Sequence, residues 1–142
     1  MTFLKDAAIV AKGLDRYLTR AKTGKTKVIQ QQTIEDIHTT LNLAAHIKKG
    51  DLTGEKLTTF LSDYLDQTTQ IHHPGFFAHQ VGAPHPTGAL GSLVDGFTNN
   101  AMAIYEMGPG AAAIEFFMVN LILSKIGWGA MPTCIEDRKS VV

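Results

Sequence analysis

Four of the six histidines, His72, His73, His79 and His85, fall within fourteen residues of a loop rich in proline and glycine. Imidazole at that density offers three chemistries: a metal ligand, a proton carrier near neutral pH, or a flat ring that stacks and hydrogen-bonds. Metal binding needs convergent ligands, such as two histidines at i, i+4 on a helix or a pair of cysteines. The loop has neither, and only one acid, Asp95, is near. Stacking or hydrogen bonding is therefore the expected role of these rings, and no metal is expected.

Other catalytic patterns are missing. There is no GxSxG, no SxxK and no cysteine with an evident histidine partner. Glu106 and Glu115 lie nine residues apart across a Gly-Pro-Gly break, which does not make an acid/base pair. By spacing alone, the chain reads as a helical, oligomeric module without a self-contained active site.

The elements that would position the loop are helices, about five in all. Leu4, Ala7, Val10, Leu14, Tyr17 and Leu18 make a helical stripe over residues 3–21, in which Gly13 costs about 1 kcal/mol relative to alanine. A second helix is predicted from its cap at Thr33, through Ile34, Ile37, Leu41 and Ala44, to the lysines before Gly50. The third has Leu57, Phe60, Leu61, Tyr64 and Leu65 at i, i+3, i+4, i+7 and i+8, with Thr53 as N-cap. Past the loop, a fourth is expected from Thr87 as cap to about Tyr105, with Leu90, Leu93, Phe97, Ala101 and Ile104 on its buried side. Gly88, Ser92 and Gly96 line a second, nearly bare strip of that helix, which suggests close approach by another backbone. A fifth helix follows Pro109, with Ile114, Phe116, Phe117, Met118, Leu121, Ile122 and Leu123 around nearly its whole circumference. Five helices hardly enclose such an element, so the chain looks built to pack against more protein. Phe76 and Phe77, at about 1.5–3 kcal/mol per side chain if left in water, are expected against this chain's core or a partner's.

Composition narrows the class. The 142 residues carry 44% apolar and 18% charged side chains, with 13 basic and 13 acidic groups that cancel. That balance carries no signature of a nucleic-acid or membrane-surface partner, and Lys22, Lys25 and Lys27 read as a solvated loop. The single cysteine, Cys134, excludes an intrachain disulfide and suits a reducing compartment. The first residues lack the long apolar core of a signal peptide. Residues 111–126 are interrupted by Glu115, Asn120 and Lys125 and are shorter than the roughly 20 apolar residues of a membrane span. A soluble, cytoplasmic protein is the expectation.

The segment His73-Pro74-Gly75-Phe76-Phe77-Ala78-His79-Gln80 is followed by Asn99-Asn100-Ala101-Met102-Ala103-Ile104-Tyr105-Glu106-Met107-Gly108-Pro109. Together they resemble the N-terminal part of group II pyridoxal-phosphate-dependent decarboxylases, which act on glutamate, diaminobutyrate, cysteine sulfinate and aromatic amino acids. Each piece is weak alone, but their order and spacing are fairly specific. The resemblance covers about residues 70–128, and the first 69 match only in helical character. It implies the N-terminal part of a fold-type I (aspartate-aminotransferase-like) α/β homodimer, whose N-terminal helices wrap over the neighbouring subunit. It also implies that His79, Gln80, Val81 and Gly82 touch the amino-acid substrate, and that Ala101, Met102 and Ala103 enter the partner subunit's pocket. Gln80 leans towards a glutamate-like substrate. Ala78 in place of asparagine and Gly82 in place of serine or threonine lean away, so the amino acid stays open; aromatic-type members have tyrosine at the place of His79 and threonine at that of Gly82.

The chemistry so implied belongs to pyridoxal 5'-phosphate, which takes up the electrons left when carbon dioxide departs. In the family the Schiff-base lysine, the aspartate at the pyridine nitrogen, the stacked histidine and the phosphate loop all come later in the sequence. None of the ten lysines here lies in the family's lysine motif, so no catalytic or cofactor-binding residue is expected in this chain. Residues 129–142 depart from the family pattern, and one choice of codons for Asp137-Arg138-Lys139-Ser140-Val141-Val142 reproduces a sequencing-adapter read-through. The last six residues are expected to be non-native. The rival readings are a non-catalytic helical interaction or oligomerisation module and, behind it, a histidine-rich metal-binding protein.

Overall fold

The computed structural model describes residues 2–77, 80–101 and 104–129. His79, Met102, Ala103 and the tail from residue 130 therefore lie outside the described residues. Within them the chain is helical, with no strand. It forms two compact units, Met1–Ala83 and Pro84–Val142.

The first unit is organised around α4 (Gly54–Gln67), on which α1 (Phe3–Lys22) and α2 (Ile34–Leu41) pack. Of the expected stripe on α1, Ala7, Val10, Tyr17 and Leu18 lie on its less exposed side. Asp6, Val10, Gly13, Tyr17 and Ala21 follow helical spacing along its less exposed side, while Leu4 and Leu14 are exposed. Gly13 lies on that side too. A Cβ there would stand 2.5 Å from Cδ2 of Leu61, so a bare residue lets α4 come close. What costs helix propensity permits packing.

The predicted second helix is broken. Asn42 adopts the left-handed conformation (φ 47°, ψ 39°), ending α2 and starting α3 (Leu43–Lys49) at once. Asparagine tolerates that region far better than branched residues do. The break follows directly on Leu41, one of the few buried apolar side chains described. Thr33 caps α2 as expected, its hydroxyl accepting from Asp36 N at 3.1 Å. Gly50 in the left-handed region closes α3, and His46 of α3 lies edge-on to Phe60 of α4, ring centroids 5.8 Å apart.

Thr53 does occupy the N-cap position of α4, but its side chain makes no capping bond. Asp6 does this instead: Gly54 N donates to Asp6 Oδ1 at 3.1 Å, across 48 residues of sequence. Gly54 has φ +57°, a conformation that other residues rarely adopt, and is buried at this junction. The connection before it holds Asp51, which pairs with Lys56 and has His46 Nδ1 at 3.8 Å.

The second unit has α5 (Pro86–Thr98), a 3-10 turn (Tyr105–Met107) and α6 (Pro109–Ile126). The fourth predicted helix is both earlier and shorter than expected. Its cap is His85 rather than Thr87, with Pro86 in its first turn, and it stops at Asn99 in the left-handed conformation (φ 48°). Ala101 and Ile104 thus leave the helix. Pro109 opens α6, which packs on the 3-10 turn, and Gly127 (φ 76°) closes it, with Trp128 N donating to Leu123 O at 2.9 Å.

Two outcomes test this architecture. Replacing the Asp6 carboxylate by a methyl, Asp6→Ala, removes the cap of α4 and should destabilise the first unit by about 1 kcal/mol in urea unfolding, whereas Asp6→Asn should retain most of it. The hydrogen bond from Lys56 holds the Asp51 carboxyl below its ordinary 3.8, aided by the Lys56 and Lys49 charges and opposed by desolvation. A lowered folded value means that this contribution is present above 3.8 and is lost as the pH falls through the depressed value. NMR titration should place the Asp51 midpoint below 3.8, returning towards it in Lys56→Ala.

Candidate functional site

The histidine loop is built from the end of α4. Its last carbonyls are capped by Gln70, whose side-chain amide donates to Leu65 O (3.2 Å) and Thr68 O (3.3 Å). Gln70 is only 8% exposed, and its backbone N–H donates to Val28 O at 2.8 Å, tying the loop to the connection between α1 and α2. From there the loop folds on itself. His73 N donates to Gln70 O and Phe76 N to His73 O, both at 2.9 Å, and Gly75 N donates to His73 Nδ1 at 2.8 Å. With Nδ1 accepting, the neutral His73 ring carries its proton on Nε2, which is buried without a hydrogen-bond partner.

Tyr17 fastens the loop from α1. Its hydroxyl donates to Thr69 O at 3.2 Å, and its ring meets His72 edge-on at 6.2 Å. Pro74 lies against Gly24, where a Cβ would come within 3.2 Å of Pro74 Cγ. His85, past the loop, accepts from Thr87 N through Nδ1 at 3.3 Å and so caps α5. The described histidines of the cluster thus make ring contacts and hydrogen bonds. Among the described residues no three His, Cys, Asp or Glu side chains gather as a metal set would.

Of the expected substrate residues, Gln80, Val81 and Gly82 follow the anchored turn as exposed, irregular chain of the first unit. Ala101 belongs to the second unit, its carbonyl oxygen 3.2 Å from where a Cβ on Gly108 would stand. His79, Met102 and Ala103 lie outside the described residues. The two phenylalanines part company: Phe76 is half-buried, but Phe77 is 94% exposed, so this chain's core does not cover it.

Elsewhere in the first unit a groove of about 200 Å³ runs between α1 and α4, closed at one end by the Arg20–Asp66 ion pair (3.0 Å). Its lining includes Arg16, Tyr17, Leu61 and Ser62 but no lysine.

The second unit presents apolar surface. Leu90, Leu93, Phe97 and Ile104, expected on a buried side, are all more than half exposed, as is Val94. Beside Gly88, Gly91 and Gly96 an added Cβ would meet nothing within 4 Å. On α6 the less exposed side carries Glu115, Phe116, Val119 and Asn120, while Ile114, Phe117, Ile122 and Ile126 face outward. By length and composition α6 is long and apolar enough to cross a membrane, with a rise of about 27 Å over its 18 residues.

Compared with protein-family models, with curated proteins and with solved structures, the chain matches none.

The sequence pattern pointed to the loop but not to what holds it. Gln70, Val28 and Tyr17 carry no local signal, because their bonds join segments far apart in the chain. The exposed outward side of α6 has a direct consequence. The isolated chain should bind a hydrophobic dye and self-associate with concentration in sedimentation. The double change Phe117→Glu, Ile122→Lys should lower both, roughly in proportion to the apolar area removed.

Proposed function

We propose that this chain is the N-terminal helical region of a pyridoxal-phosphate-dependent amino-acid decarboxylase. In this reading it wraps a neighbouring subunit and supplies one wall of the substrate entrance, within a fold-type I enzyme. The observation that carries the reading is the ordered resemblance of residues 73–80 and 99–109 to that family. Two features support it. The helices α5 and α6 expose apolar side chains that a larger enzyme body would cover. The loop leading to Gln80 is also tied down, as a substrate-facing segment must be if it is to orient a side chain.

The groove between α1 and α4 has no lysine in its lining, and in this reading pyridoxal phosphate is held by other parts of the enzyme. This chain's share would be recognition: Gln80, with its amide, and the unobstructed Val81–Gly82 backbone against the far end of the amino acid. The second reading, a non-catalytic interaction module, is favoured by the strip of Gly88, Ser92 and Gly96, where a Cβ added at either glycine would meet nothing within 4 Å.

The two readings part in one experiment. The complete protein encoded at the locus, supplied with pyridoxal phosphate, should release carbon dioxide from at least one acidic, basic or aromatic amino acid. Gln80→Ala should then raise KM about tenfold, the order expected for a lost hydrogen bond to a charged group. Absence of carbon dioxide release from every amino acid tried would leave the interaction module. Unchanged kinetics in the variant would remove Gln80 from the site.

A further inference from the structure

We infer that Tyr17 and Gln70 are positioning residues for the substrate-entrance loop, so that α1 and residues 24–28 set the placement of a segment more than forty residues later. The inference rests on the decarboxylase reading for what the loop does, but its geometry is independent of it. A loop with Pro74 and Gly75 at its turn has little intrinsic order, yet four hydrogen bonds run through it in sequence. Val28 O accepts from Gln70 N, Gln70 O from His73 N, His73 O from Phe76 N, and His73 Nδ1 from Gly75 N. The first of these reaches outside the loop, to the connection between α1 and α2. Gln70 then fixes the other side, because its buried amide engages Leu65 O and Thr68 O at the end of α4. Tyr17 adds a hydroxyl to Thr69 O and an edge contact to His72, and Pro74 is seated on Gly24.

Neither Tyr17 nor Gln70 need touch substrate. They act by holding the start of the loop that carries Gln80, three residues beyond the exposed Phe77. Loss of one anchor should leave the helices standing and let the loop sample other positions, which weakens binding without changing the reacting groups.

The test uses the complete protein with two variants. Tyr17→Phe removes one hydroxyl and keeps the ring on His72, and Gln70→Glu keeps the shape but loses both amide donors. Amide exchange at Gly75 and Phe76 should quicken about fivefold in the first variant, the value of one ordinary hydrogen bond, and by more in the second. KM for the amino acid should rise by a similar factor with kcat within twofold and an unchanged melting temperature for Tyr17→Phe. Faster exchange with unaltered KM would overturn the positioning role and leave the decarboxylase reading intact. Unaltered exchange would overturn the anchoring itself. Failure of the unaltered protein to release carbon dioxide would sink the decarboxylase reading, and with it the role in substrate binding, while the exchange rates would still decide whether Tyr17 and Gln70 order the loop.

Discussion

The first unit depends on the close contact between α1 and α4. It is made possible by the absence of a side chain at Gly13, opposite Leu61, and fastened at one end by the Asp6 carboxylate on Gly54 N. An N-terminal helix end leaves several backbone donors unsatisfied, and a local serine or threonine is the usual remedy. Here the remedy comes from another helix, so capping and tertiary packing become the same interaction. The far end of the same helix pair holds Tyr17, Gln70 and the start of the histidine loop, so the contact that makes the unit also delivers the loop.

The second unit obeys the opposite constraint. Its helices have well-formed ends: His85 and Pro86 begin α5, Asn99 ends it, and Pro109 and Gly127 bracket α6. Their apolar side chains, however, face outward in greater number than one turn and two helices can cover. Hydrophobic burial is the main favourable contribution to folding, so these well-terminated helices carry apolar surface that their own unit leaves uncovered.

The histidines show how residue type and role can diverge. Four imidazoles in fourteen residues invite a metal or a proton relay. In the described part of the loop they serve instead as local structure: His72 as a ring on Tyr17, His73 as a turn acceptor, His85 as a helix cap. The Nε2 of His73 is buried without a hydrogen-bond partner among the described residues.

Local chemistry was legible in the residues themselves. The caps at Thr33 and Gly50, the helical stripe of α4, the proline start of α6 and the irregular chain around Pro74 are all short-range events, governed by side chains within one turn of the backbone they act on. The break at Asn42 was missed because the apolar spacing runs on through it, and asparagine permits the left-handed region without requiring it. The early end of α5 was missed for a like reason, since Asn99 gives a permissive stop rather than a compulsory one. What only the tertiary structure decided was which side of α1 turns inward, that Asp6 caps α4, that Tyr17 and Val28 pin the loop, and that Phe77 and the outward side of α6 are left uncovered. Those are contacts between segments tens of residues apart. Their energies depend on distances that the order of residues along a chain does not contain.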